Sequence, residues 1–278
     1  MAGLWPGRTR CVVMLTFDFD WVTGTVNRNP EMVKHPSIMS QGDFGPAVGV
    51  PRILDLLDEY RIPASFFIPG YTAEHFPDLV RDIVRRGHEV GNHGYMHEPP
   101  SSLASREEEG DVLDRGNRIL QELTGQRPLG YRSPSWELSE HSLDLLVERD
   151  FLYDSSLMGN DAPYFVDAPG GRLLELPVHW SLDDVPYYVY APVAGRMGPM
   201  ASPQEVYNAW QWEFDGAYKY GRSMMLTMHP YTSGRLARIT ALEHLIKYIR
   251  SHQGVEFMRC VDVAQGWTDK GLRRRRRS

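Results

Sequence analysis

Two cysteines in 278 residues cannot build a disulfide framework, and Cys11 and Cys260 share no metal-type spacing. Long apolar runs are also lacking. The longest early one, residues 11–17, stops at Asp18, too short for a signal-peptide core or a bilayer span. No Asn-x-Ser/Thr acceptor occurs. Nor is there a Gly-Lys-Ser/Thr phosphate loop, a Gly-x-Gly-x-x-Gly turn, His-Glu-x-x-His or Gly-x-Ser-x-Gly. A soluble, cytoplasmic protein with no membrane partner is the expectation. Positive charge is scarce in the body of the chain. Of 30 Lys+Arg, five form the run 273–277; the other 25 face 36 Asp+Glu, so the formal charge of −6 becomes −11 without that run. An acidic body argues against a broad nucleic-acid surface. The stretch 273–278 reads as a disordered basic tail.

What is present suits one globular domain over residues 1–272. A chain of this length buries about three quarters of its unfolded surface, so it needs no disulfide or metal to hold a core. No repeat or low-complexity linker interrupts it. Short apolar runs alternate with helical patterns. Residues 11–17, 64–68, 88–91, 129–131, 151–153, 172–176, 223–228 and 255–258 read as strands. Residues 51–60, 76–86, 102–124, 139–149, 203–220 and 236–251 read as helices. In the first of these, Ile53, Leu54, Leu56 and Leu57 make a wide apolar stripe. The alternation implies an α/β fold with a parallel sheet, and about seven strand–helix units favour a barrel. Residues 21–48 and 158–172 read as long loops of the kind that shape a site.

In such folds the site lies at the carboxyl ends of the strands. Polar residues cluster there: Asp18 and Asp20 after the first strand, His93 and His97 after the third, Arg132 after the fourth, Asp154 after the fifth and His229 after the late one. The i, i+4 histidines would share a helical face and one metal, although alone such a pair is equally a turn feature. Asp20 completes a two-histidine, one-carboxylate set of the hydrolytic kind. Asp18 and Asp20 point the same way on a strand, which favours cations beside both: a metal at Asp20 and a guanidinium at Asp18. The planar fork of Arg132 suits a carboxylate. His229 beside a carboxylate suits a general acid.

These residues fall into five short segments: Thr16-Phe-Asp-Phe-Asp20, His93-Gly-Tyr-Met-His97, Arg132-Ser-Pro134, Tyr153-Asp-Ser-Ser-Leu157 (or Asp161 just beyond) and Leu226-Thr-Met-His-Pro230. In order and spacing they resemble the motifs of the NodB-type polysaccharide deacetylases, carbohydrate esterase family four, over roughly residues 10–260. Phe19 separates the two aspartates and Trp21 follows, where the family has adjacent aspartates and a glycine. The chain is in this respect similar to a branch holding intracellular peptidoglycan-deacetylase-like, allantoinase-like and cyclic-imide-hydrolysing enzymes.

The resemblance implies a distorted (β/α)7 barrel, a homo-oligomer (dimer or tetramer) and a substrate that is a carbohydrate or a small amide or imide. It implies Zn²⁺, or another divalent ion such as Co²⁺, on Asp20, His93 and His97. Asp18 would then act as base, oriented by Arg132, and His229 as acid toward the departing nitrogen. Asp154, or else Asp161, would pair with His229. Glu98 is a candidate partner of a ligand histidine or a plain helix-start acid. Trp21, Trp136, Tyr164, Trp180, Tyr187 and Tyr188 are candidate cleft walls, each also a candidate for core packing. A carbohydrate-binding or scaffold protein with a vestigial site is the alternative of another class.

Overall fold

Strand β1, Cys11–Asp18, is buried along its whole length. Its side chains alternate between two environments. Cys11, Val13, Leu15 and Phe17 pack with Leu54, Phe66, Ile68, Leu226 and Met228 against the surrounding helices. Val12 and Met14 pack with Phe67, Tyr153, Leu174 and Met225 on the opposite side. A strand apolar on both faces has to be covered on both, which is why residues 11–17 read as one hydrophobic run. The two-residue period then sends Thr16 and Asp18 to the side of Val12 and Met14.

A computed structural model describes the backbone of residues 4–275 and the side chains of residues 4–268. After β1 come helices α1 (Thr23–Arg28), α2 (Pro36–Phe44) and α3 (Val50–Tyr60), then β2 (Ser65–Ile68), α4 (Gly70–His75), α5 (Pro77–Arg85) and β3 (Glu89–Asn92). Helix α6 (Arg106–Thr124) leads to β4 (Gly130–Tyr131), and α7 (Ser142–Glu148) to β5 (Tyr153–Asp154). Strands β6 (Tyr164–Ala168) and β7 (Gly171–Glu175) form a hairpin, followed by α8 (Val185–Tyr188) and α9 (Pro203–Tyr220). The chain ends with β8 (Ser223–Met228), α10 (Pro230–Ser233), α11 (Leu236–Arg250), β9 (Val255–Phe257) and α12 (Cys260–Arg275).

The parallel ladder runs β7–β5–β4–β3–β2–β1–β8, seven strands, with β9 beside the start of β1 and β6 antiparallel on β7. Between β7 and β8 the described ladder is bridged by Asp183 to Thr227 and by the Asp184 amide on the Thr227 carbonyl at 3.1 Å. This is the distorted (β/α)7 barrel that the resemblance implied.

Every expected strand and helix has its counterpart, but two expected loops do not. Residues 21–48 fold into α1, a 3₁₀ turn over Pro30–Lys34, α2 and a π turn over Gly45–Gly49. Residues 158–172 contain β6. Its half-exposed edge pairs only with β7, so it lacks the apolar run of a central strand. In α9, Trp210 and Phe214 are buried while Trp212 faces solvent. Residues 276–278 of the expected tail lie outside the described residues, and 273–275 form the end of α12. No described helix is long and apolar enough to cross a membrane.

Candidate active site

Asp18 closes β1, and Asp20 lies one strand period further on. The Asp20 carbonyl accepts hydrogen bonds from the Thr23 amide and hydroxyl and from the Thr72 hydroxyl at 3.0 Å. Trp21 adopts a left-handed φ of +56°, turning the chain into α1 at once. The Asp20 carboxylate is thus fixed at the barrel mouth by its own backbone.

His93 and His97 reach it through a turn, not along a helical face as expected. Gly94 has φ +73° and His97 φ +61°, so the segment after β3 reverses within five residues. The Asn92 side chain accepts from the Gly94 amide at 2.8 Å and donates to the Leu113 carbonyl of α6 at 3.0 Å, locking the turn. Glu98 accepts from the amides of Tyr95 and Met96. It therefore caps this turn, neither supporting a histidine nor starting a helix. The imidazole planes stand 83° apart with centroids at 5.0 Å. His93 Nε2 lies 3.4 Å from Asp20 Oδ1, and His97 Nε2 lies 3.4 Å from Asp20 Oδ2. His93 Nδ1 faces the Arg132 carbonyl at 2.6 Å, which fixes its proton on Nδ1 and leaves the Nε2 lone pair toward Asp20.

Arg132 is fully buried inside the barrel, over the Phe67 ring at 4.1 Å. Its Nη1 donates to Asp18 Oδ1 at 2.7 Å and to Thr16 Oγ1 at 2.8 Å; Nε and Nη2 donate to the Ser155 carbonyl and hydroxyl. A buried guanidinium persists only when paired and hydrogen-bonded, and here its fork is filled. The inward parity of Thr16 and Asp18 on β1 makes this grip possible.

His229 follows β8, and its Nδ1 donates to Asp184 Oδ1 at 2.7 Å. Asp184 Oδ2 accepts from the His229 amide at 2.9 Å and from the Ser233 hydroxyl. Burial by itself would lower the His229 pKa; the Asp184 carboxylate overrides this and holds it well above the ordinary histidine value. Its Nε2 points to Asp20 Oδ2, 3.6 Å away. The expected partner Asp154 is elsewhere. It faces Glu175 across the β5–β7 register and accepts from Ser156 Oγ at 2.8 Å. Asp161 is exposed, and its backbone carbonyl accepts from Ser223. The strand-end rule missed Asp184 because it lies nine residues beyond the last strand residue before it, Glu175. The available signal was the double acid Asp183-Asp184 in the segment that follows that strand.

Asp20, His93 and His97 offer three buried ligand atoms within 4.8 Å of one another. Asp20 Oδ1 is buried without a hydrogen-bond partner. Burial would raise the Asp20 carboxyl, but His97, His93 and His229 outweigh it and hold the group ionised, below the usual carboxylate range. Burial lowers His93, favouring the neutral ligand form. A buried carboxylate with one orphaned oxygen, facing the Nε2 atoms of two imidazoles, fits a divalent cation.

These residues line a cavity of about 190 Å³ together with Asp18, Asp183, His229, Tyr231, Arg28 and Arg196. Of the candidate aromatics, Trp21, Trp136 and Trp180 line it, the last two with ring centroids 4.2 Å apart. Tyr188 is buried in the core, Tyr187 donates to the Ser181 carbonyl, and the Tyr164 hydroxyl accepts from the Gly159 amide.

A parallel barrel with this mouth defines a class of hydrolase, and the family model described as polysaccharide deacetylase matches residues 7–151. The chain belongs to that family, and it is an enzyme of the deacetylase type. It is 33% identical to the "Peptidoglycan deacetylase" of Helicobacter pylori (strain ATCC 700392 / 26695), over 86% of this chain and 90% of that one. Among solved structures it resembles a putative polysaccharide deacetylase from Mycobacterium smegmatis, with TM-score 0.93, 38% identity, and coverage of 98% of this chain and 95% of that one. A Puue allantoinase follows with TM-score 0.83, 27% identity, and coverage of 95% and 92%.

Proposed function

We propose that the protein removes the acetyl group from an N-acetylated amino sugar, with Asp20, His93 and His97 holding Zn²⁺ or a similar divalent ion. The observation that carries this reading is the buried Asp20 carboxylate, with one oxygen unpartnered, between two imidazoles and flanked by an Arg132-held aspartate and an Asp184-held histidine. The bound ion would polarise the scissile carbonyl and acidify water.

The remaining chemistry belongs to side chains. Arg132 occupies Asp18 Oδ1 and leaves Oδ2 free to accept the proton of the attacking water. The same guanidinium keeps Asp18 oriented when substrate enters. His229, charged through Asp184, donates its Nε2 proton to the departing nitrogen as the carbon–nitrogen bond breaks. The products are acetate and a free amine, and one water is consumed. The reading keeps a cytoplasmic setting, in which Cys11 and Cys260 stay the buried free thiols they are. It also keeps a homo-oligomer, supported by the exposed Met197, Trp212 and Leu236.

Ring opening of a small cyclic amide or imide is the second reading. It is favoured by the wall that Val22, Gly24, Thr25, Ile38 and Gln41 build across the cavity from α1 and α2. The test is acetate release from N-acetylglucosamine oligomers, measured beside ring opening of cyclic ureides and imides. Release that Asp18→Asn abolishes supports the first reading. Ring opening alone replaces it with the second, and neither activity in metal-loaded protein defeats both.

A further inference from the structure

Two guanidinium groups reach the active-site cavity without a carboxylate to meet. Arg28, the last residue of α1, donates through Nη2 to the Ser135 hydroxyl at 2.7 Å. Arg196 lies in the segment whose backbone pairs with Ala191, and its side chain has no hydrogen bond or ion pair among the described residues. Neither has an acid within 4.0 Å among the described residues. Both line the cavity with Asp18, Asp20, His93, His97 and His229. They are close enough to feel each other: withdrawal from water and then the charge of Arg196 both lower Arg28.

Every buried cation of the catalytic apparatus is matched, Arg132 by Asp18 and His229 by Asp184. Some arginines away from the cavity take several acid partners, as the part-buried Arg86 does with Asp55, Asp58 and Asp82. Two like charges held together in a binding cavity are stabilised when the ligand brings the anion. Asp18, Asp20 and Asp183 in the same lining disfavour a dianion, and a cavity of about 190 Å³ disfavours a bulky one. Trp136 and Trp180 lie in the same lining and offer an apolar wall for a ring.

We propose that Arg28 and Arg196 bind a carboxylate carried by the substrate, so that the preferred substrate is an amide bearing an acid group beyond its scissile carbonyl. This rests on the hydrolase reading above. Two chemical sources supply such a group, an acid-bearing amino sugar and a carboxylated cyclic amide. Arginines that are merely solvated at the rim predict no discrimination between charged and neutral substrates.

The experiment compares matched pairs on wild-type, Arg28→Gln, Arg28→Lys and Arg196→Gln proteins: N-acetylmuramate against N-acetylglucosamine, and hydantoin-5-acetate against its methyl ester. The expected result, in one pair, is a lower wild-type KM for the carboxylated member. In each Gln variant that KM should rise about tenfold more than the neutral partner's, with kcat little moved and Arg28→Lys intermediate. The pair that responds identifies the source. Equal shifts for charged and neutral members, or none, overturn the proposal while any hydrolysis seen leaves the hydrolase reading standing. If wild type turns over neither pair, the hydrolase reading stands or falls on the oligomer and cyclic-amide assay above, and calorimetric binding of both matched pairs decides the present one. A preference for the acid that both Gln variants lose supports it; no preference overturns it.

Discussion

Two pairs of buried carboxyl groups sit at strand ends in this barrel, and only one is joined to chemistry. Asp18 and Asp20 at the end of β1 meet Arg132, His93, His97 and His229. Asp154 and Glu175, paired in register at the ends of β5 and β7, meet serine hydroxyls, backbone amides and each other. Burial pushes the Asp154 carboxyl up to about 6. It pushes Glu175 well above its usual value too, with Asp154 adding to the rise. Asp154 Oδ2 and Glu175 Oε2 are both buried without a hydrogen-bond partner among the described residues. The same burial acts on both pairs. Convergent cations join one pair to the candidate metal and acid–base groups, and without them burial leaves the other with raised carboxyl pKa values.

The largest effect should separate the pairs outright. Asp20→Asn should lose the bound ion, seen by elemental analysis, and lower kcat by about 10³-fold or more. Asp154→Asn should keep both metal and most activity; a comparable loss there would break the comparison. Next, Asp184→Asn should lower kcat by about 10²-fold. Asp184 raises His229, so its removal lets the histidine lose its proton at lower pH. The alkaline limb of the kcat/KM profile should therefore move toward acid, and an unmoved limb would remove Asp184 from the acid's support.

A smaller effect is steric. A Cβ on Gly24 would come within 3.1 Å of His97 Nδ1, so Gly24→Ala should weaken metal affinity by about 10-fold, measured by competition with a chelator. The smallest concerns stability alone. Asp154 and Glu175 have folded values above their unfolded ones, so their stabilising contribution is complete at low pH and is lost as pH rises. For Asp154 the window runs from about 4 to about 6. Glu175→Gln removes one of the two titrations. Urea unfolding at pH 5 and pH 8 should then show a smaller decline for the variant, and an equal decline would place the titration elsewhere.

Much of this was readable before any coordinates. Residues 11–17 had to be a strand covered on both sides, because seven consecutive buried positions leave no polar face. The strand ends supplied Asp18, Asp20, His93, His97 and His229, which line one mouth, and Arg132, which grips Asp18 from inside the barrel. The segment 21–48 was misread because its polar, Gly- and Pro-containing sequence has weak periodicity. Its short helices are held by packing on α10 and the π turn, not by an amphipathic stripe. Asp154 was misread because a strand-end acid looks the same whether its neighbour is a cation or another acid.

The sequence by itself determined the parallel strands, their order of use and the kinds of side chain at their carboxyl ends, since period and residue chemistry are local properties. Only the tertiary structure decided which acid lies beside His229, that Asp154 lies beside Glu175, and that Arg28 and Arg196 share a cavity. Those outcomes depend on distances between residues 21 to 168 positions apart and on loss of water around them. Burial sets the energy of each charge, and neighbours brought by the fold set its sign of effect.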